Sequence, residues 1–339
     1  MKANIAIFCT GGTNLGFGHF FRSKVFAKAA LKKFNVRIFA VAEDQDRQVF
    51  KDVRDISKVC QTESVALKEI IEFAPNILVF DTVYCSDDFI AEIKRHCEHL
   101  VSISPVFNQM HNIDILFTRN EDTPDIENVK IFKGFKYTIF NDNCIQIPDA
   151  VYNSILCRPF LTIGIAMGGG DAPNKTLKIL KAISQIPNPC TFWVLLGEGY
   201  KHSYQDLVNC LSKDSNHEII LAKTNRSIWN ILSNCSLAIL AGGLTTMESI
   251  YAGLPSINIF EKEEHLRATS SMIFDNGMAF NLGLFKDFSD SILIEQVEAI
   301  SGNKDLMLSM RDRMKGVLDK YGADRICKEI ETLVNLETN

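Results

Sequence analysis

The chain has 339 residues, with 46% hydrophobic and 23% charged residues and a formal net charge of −5. These values belong to ordinary globular proteins, and the length suits two domains, each able to bury its own core. They exclude a broad nucleic-acid binder, since no basic run or aromatic-basic alternation offsets the acidic balance, and an integral membrane protein, since no apolar run approaches roughly 20 residues.

The first element predicted is a buried strand, Ile5-Ala6-Ile7-Phe8-Cys9, which follows Met1-Lys2-Ala3-Asn4 without room for a signal peptide. A cytoplasmic location is therefore expected. Thr10-Gly11-Gly12-Thr13-Asn14 breaks the strand, and Gly16-Phe17-Gly18-His19-Phe20-Phe21-Arg22 opens a helix with apolar residues at Phe21, Val25, Phe26, Ala29 and Leu31. Backbone N–H groups at such a helix start attract anions. The same positive end disfavours an imidazolium, so His19 reads as a neutral candidate base. Gly16 and Gly18 allow close approach, and Arg22 either reaches an anion or caps a surface. The full dinucleotide pattern G-x-G-x-x-G fails, because Phe21 and Arg22 stand where the last glycine would.

Further elements follow in regular alternation. Strands are predicted at 36–41, 77–80, 100–103, 113–117 and 129–132, and helices at 64–73 and 87–96. Asp81 ends the third strand, and Tyr84 lies just beyond it. An acid in that position faces a ligand or caps the next turn, and the sequence leaves both open for Asp81 and for Tyr84.

Residues 141–158 read as a connector, with Pro148 and weak periodicity. A second series then begins: strands at 161–166, 191–196, 218–221, 237–241 and 256–260, helices at 175–184, 228–233 and 245–252, and a mostly helical tail from Lys304. Two strand-to-helix turns stand out. Gly168-Gly169-Gly170-Asp171 leaves room for backbone approach to a ligand, with Asp171 or Asn174 as alternative helix caps. Gly242-Gly243-Leu244-Thr245-Thr246-Met247-Glu248 brings a helix N-terminus forward, and its N–H groups with Thr245 and Thr246 suit a pyrophosphate. Glu248 suits ribose hydroxyls, or forms a capping box with Thr245. His265 faces a ligand or starts a solvated helix.

Apolar strands alternating with helices imply doubly wound parallel sheets, whose ligands bind beyond the carboxyl ends of the strands. The expected class is α/β, with two Rossmann-like domains, 1–150 and 159–339, facing a central cleft. The second domain is expected to carry the nucleotide. The ten cysteines (9, 60, 85, 97, 144, 157, 190, 210, 235 and 327) form no C-x-x-C pair. They read as core residues of a reducing compartment. Cys85, His96, Cys97 and His99 come nearest to a zinc set, but neighbours on a helix point apart. No metal or cofactor is expected.

Together, the stretches 16–22, 167–176 and 242–255, with weaker echoes at 111–116 and 134–137, resemble the nucleotide-sugar hydrolases of pseudaminic acid biosynthesis, which share the GT-B architecture of the MurG glycosyltransferases, so the resemblance implies a GT-B-like fold. The resemblance implies water attack at the anomeric carbon of a UDP-linked modified amino sugar, assisted by His19, with UDP and free sugar as products. The partners it implies are the UDP-sugar and water. Asp81 and Tyr84 fall on the family's catalytic side, although Tyr84 stands one place later than is usual. His265-Leu266 replaces a typical Asn-Gln pair, and Ser104-Pro105 replaces a common Asp-Asp. A glycosyltransferase using the same donor and a non-catalytic nucleotide-sugar-binding protein are the rival readings. The sequence does not indicate an oligomeric state.

Overall fold

The structure, a computed structural model, describes residues 2–13, 16–210, 216–223 and 227–336. The chain divides into two compact units: Met1–Asp142 with Asp319–Asn339, and Asn143–Leu318.

The first unit is built on seven strands: β1 Asn4–Thr10, β2 Asn35–Val41, β3 Ser57–Cys60, β4 Ile77–Asp81, β5 His99–Ser102, β6 Ile115–Thr118 and β7 Lys130–Lys133. Their order is β3-β2-β1-β4-β5-β6-β7, and each neighbouring pair is parallel. Successive side chains of a strand point to opposite faces, so β1 feeds two cores. Ile5, Ile7 and Cys9 enter one, and Ala6 and Phe8 the other. A strand buried on both faces reads as a continuous apolar run, which is why β1 is legible in the sequence.

The helix Gly18–Ala30 gives Phe20, Phe26, Ala27 and Ala30 to the first of these cores. The last helix, Gly322–Leu336, gives Ala323, Ile326, Cys327 and Ile330 to the same core. This corrects the expected boundaries. The tail does not continue the second domain; from Asp319 onward it belongs with the first unit. The cause is the fully buried pair Ile326 and Ile330, reinforced by the ion pairs Lys32–Asp324 (2.8 Å) and Lys33–Glu331.

The second unit holds six parallel strands: β8 Leu161–Ala166, β9 Cys190–Leu196, β10 Glu218–Lys223, β11 Leu237–Ala241, β12 Ser256–Phe260 and β13 Phe280–Leu284. Their order, β10-β9-β8-β11-β12-β13, repeats the winding of the first sheet. In both sheets the winding reverses beside the first strand, between β1 and β4 and between β8 and β11. That is the topological switch point where open α/β sheets bind ligands.

The expected connector, 141–158, contains the helix Asp149–Leu156. Tyr152 is fully buried and donates to the Ser236 carbonyl at 2.7 Å, and Arg311 Nε donates to Asp149 at 2.9 Å. These contacts join the segment to the second unit, which begins at Asn143 rather than near 159. Among the described residues, no helix is long and apolar enough to cross a membrane.

Candidate functional site

The carboxyl edge of the first sheet gathers an ionised cluster around Asp81. β4 places Asp81 beside Cys9 of β1, and the carboxylate is fully buried. His19 Nδ1 lies 2.6 Å from Asp81 Oδ1. Arg22 Nε donates to both Asp81 oxygens at 3.1 Å, and its Nη2 also meets Oδ1. Ser23 Oγ donates to Oδ2 at 3.1 Å, and Ser104 Oγ to Oδ1 at 3.3 Å. Burial alone would raise the Asp81 pKa. The Arg22 guanidinium, then His19 and these hydrogen bonds, overcome it and hold the carboxyl well below the usual carboxylate range.

The ionised Asp81 assigns the histidine tautomer. An unprotonated Nδ1 at 2.6 Å from a carboxylate would be repelled, so Nδ1 carries the proton and Nε2 presents its lone pair. Arg22 Nη2 lies 2.9 Å from the same nitrogen because both groups converge on Oδ1. Arg22, expected to reach an external anion or cap a surface, is committed to Asp81. It sits one helical turn from His19, so a single helix face delivers both to the carboxylate.

The loop before this helix is held from behind. Gly12 and Gly16 exchange hydrogen bonds at 3.0 and 2.7 Å. Asp46, buried in the 3₁₀ segment Asp44–Ile56, accepts from Thr13 N and Oγ1 at 3.3 and 3.2 Å. Gly16 has φ +86, and open space lies where a Cβ would stand, so the chain needs glycine there for its backbone angle rather than for packing. The helix starts at Gly18 with no side-chain cap, which leaves its first N–H groups without that partner. Tyr84 stands beyond β4 on an exposed turn, 50% exposed, its ring centroid 6.3 Å from that of Phe107. The structure thus brings His19, Arg22 and Asp81 together and places Tyr84 outward of them.

The glycine turns of the second unit divide by role. Gly168 is exposed with open space at its Cβ position, whereas Gly170 is buried. The Gly169 carbonyl accepts from Gly199 N at 3.1 Å, and a Cβ on Gly197 would strike the Gly169 backbone. Gly197→Ala is therefore expected to cost about 1–3 kcal/mol by overpacking, read as a lower urea midpoint; an unchanged midpoint would show that the two turns can move apart. Asp171 is the helix cap: its oxygens accept from Lys175 N and Thr176 N, both at 2.8 Å, while Asn174 makes no side-chain cap.

At the turn after β11, Gly242 packs on the Phe260 ring, and Gly243 takes φ +137 into open space. The helix Leu244–Ala252 has Gly243 as its N-cap, without a side-chain cap bond. Thr246, expected to offer its hydroxyl to a ligand, is fully buried; its hydroxyl accepts from Gly243 N at 3.3 Å and donates to Asn258 at 2.8 Å. The expected Thr245–Glu248 capping box is absent: the N-cap is Gly243, two residues before Thr245, so Thr246 and not Glu248 holds the N3 position. Thr245 remains half-buried at the turn.

Glu248 is 6% exposed, and its Oε2 accepts from the Trp229 indole at 3.0 Å. Glu248→Ala is expected to destabilise the second unit by about 1–3 kcal/mol, because it strands that indole N–H. The urea midpoint would read this, and an unchanged midpoint would show that the indole finds another acceptor. His265 is half-buried in the helix Glu263–Thr269, where its carbonyl accepts from Thr269 Oγ1 at 2.7 Å. The sequence reading missed Ser23 and Asp46, and it noted Ser104 only as a departure from the family pattern, not as a partner of Asp81. Single Ser and Asp residues carry no periodic signal, and only the folded chain brings Ser23 of the helix and Ser104 of the loop to Asp81, and Asp46 to Thr13.

No family model matches the sequence. The chain is 26% identical over 273 residues to an uncharacterized protein of Methanocaldococcus jannaschii, covering 76% of this chain and 56% of that protein, so it spans little more than half of that relative's length. It is 23% identical over 348 residues to the spore coat polysaccharide biosynthesis protein SpsG of Bacillus subtilis, covering 98% of this chain and 99% of that one. Among solved structures it is similar to MurG of Acinetobacter baumannii (TM-score 0.67, 13% identity, 97% of this chain and 99% of that one). It is also similar to a glycosyltransferase of Rickettsia africae (0.64, 11%, 97% of each). A third likeness is to HepE of Anabaena, solved with UDP-glucose (0.62, 10%, 97% and 99%). At these identities the likeness shows the fold, which is GT-B-like with two Rossmann-like units.

Proposed function

We propose that the chain is an enzyme of surface-polysaccharide or nonulosonic acid biosynthesis that hydrolyses a UDP-linked amino sugar to UDP and free sugar. The observation that carries this reading is the His19–Asp81 pair, with Nδ1 held at 2.6 Å and Nε2 left as the basic nitrogen. In the proposed step, His19 Nε2 takes a proton from water as the water oxygen bonds to the anomeric carbon. The bond from that carbon to the diphosphate oxygen breaks, and UDP leaves with the electron pair. The buried Asp81 carboxylate stabilises the imidazolium that forms, as a carboxylate does for histidine in other acid–base sites. A diphosphate is a good leaving group, so a pair of carboxylates is not required.

The second unit is assigned the nucleotide. Support comes from the uncapped helix start at Gly243 and from the open spaces at Gly168 and Gly243, which suit a diphosphate. Thr245 and His265 are retained as candidate ligand contacts. Glu248 is retained too, in addition to its bond to Trp229. Similarity to a spore coat polysaccharide biosynthesis protein along the whole chain supports the biosynthetic setting. Similarity in fold to a protein solved with UDP-glucose supports the donor class.

Transfer of the sugar to an acceptor is the second reading, favoured by the fold shared with a glycosyltransferase. Incubation with a panel of UDP-amino sugars, with products read by mass spectrometry, separates the two. Stoichiometric UDP and free sugar without any acceptor is the expected result. UDP release that requires an added acceptor would replace hydrolysis by transfer.

A further inference from the structure

Arg119 directly follows β6, at the same carboxyl edge of the first sheet as Asp81. Its backbone is pinned. The preceding Thr118, 4% exposed, accepts from Asn120 N at 3.2 Å, and its hydroxyl lies 3.2 Å from that of Thr123. Arg119 Nε is buried, with no hydrogen-bond partner among the described residues. The charge beside it is Arg22, a like charge whose own guanidinium is engaged by Asp81. Burial first, and Arg22 second, push the Arg119 pKa down to about 10, so it remains a cation at neutral pH.

Arg119 itself is half-buried, and a cation with a desolvated, unpartnered Nε beside another cation gains when a counter-charge arrives. A guanidinium offers a planar fork that matches phosphate or carboxylate oxygens in pairs. We infer that Arg119 is the receptor for an oxyanion, a phosphate or carboxylate group that does not belong to the nucleotide. Placing that group on the sugar or acceptor side rests on reading His19 as the catalytic base; the anion site itself does not. The oxyanion has two possible sources, an acidic group on the sugar or a phosphate on a separate molecule.

Thermal unfolding of the full chain tests the site. Inorganic phosphate and glucuronate are compared with chloride at matched ionic strength, for the wild type and for Arg119→Met. At least one anion is expected to raise the wild-type Tm by about 2–4 °C and to leave Arg119→Met unmoved. A response to phosphate alone assigns the separate phosphate, and a response to glucuronate alone assigns the acidic sugar. In chloride, Arg119→Met is expected to melt no lower than the wild type, since it removes a half-buried charge whose Nε has no hydrogen-bond partner among the described residues. Arg119→Lys, which keeps the charge but loses the fork, is expected to show a smaller rise. No rise in the wild type, an equal rise in Arg119→Met, or a variant that melts well below wild type in chloride would each overturn the proposal. The readout uses no UDP-sugar, so a failure to detect sugar hydrolysis leaves this test intact.

Discussion

Replacing His19 by Asn or Leu is expected to lower kcat for UDP-sugar hydrolysis by about 10²–10⁴-fold, the usual cost of losing a general base. Neither replacement can accept a proton, and neither disturbs the turns of the second unit. UDP affinity, measured by calorimetric titration, is therefore expected to stay at its wild-type value. The loss should appear in kcat and kcat/KM together, as for an interaction made only in the transition state. His19 lies in the first turn of its helix and makes its contact at the sheet edge, so the variants are expected to fold. A folded His19→Asn protein with wild-type turnover would remove histidine from the chemistry and leave it as a polar partner of Asp81.

Most of the fold was legible because parallel strands buried on both faces are uninterrupted apolar runs. β1, β4, β8 and β11 show this, and each meets a glycine or an acid at its carboxyl end. What was not legible depends on contacts distant in sequence. The last helix is amphipathic wherever it docks. The core that it shares with residues such as Phe26 and Ala30 of the first helix, Ala30 lying 296 residues before Ile326, joins it to the first unit. The connector helix Asp149–Leu156 is too short for its period to stand out, and it is fixed by Arg311, far along the chain.

The candidate site was legible in its residue types and less so in their relations. Gly16, Gly18, His19 and Asp81 stood out because each marks the carboxyl end of a strand. The pairing of His19 with Asp81 did not, since it requires β1 and β4 to be neighbours. That adjacency also explains Arg22, whose position after His19 read as a possible anion contact but whose partner is internal. Arg119 gave no signal at all: a lone arginine after a short strand is ordinary until its buried Nε is found without a hydrogen-bond partner among the described residues. In the second unit, Thr246 and Gly242 looked like ligand contacts because they lie in the glycine turn. Burial takes Thr246 into the turn's own hydrogen bonding, whereas Gly242, Gly243 and Thr245 all stay half-buried at the turn.

Asp81→Asn separates positioning from basicity. The amide is nearly the same size, so the packing is retained, but the negative charge is lost. If the amide NH₂ faces His19, Nδ1 must accept, and the proton moves to Nε2, where it blocks base catalysis. The same change in a Ser-His-Asp triad lowers kcat by about 10⁴-fold, and a loss of that order is expected here. Arg22 is also left partly buried without its counter-ion, and breaking such a pair costs about 3–5 kcal/mol. The pH dependence has a definite sign. The folded pKa of Asp81 is depressed, so its contribution to stability is fully present above the unfolded value of about 3.9 and is lost as pH falls through the folded pKa. The stability gap between wild type and Asp81→Asn, measured by urea unfolding, should be widest at neutral pH and narrow as pH falls below about 4. A gap that stays constant down the acid range would mean that Asp81 is not the depressed carboxylate of the pair. A variant that keeps wild-type turnover would mean that His19 does not need it to hold the working tautomer.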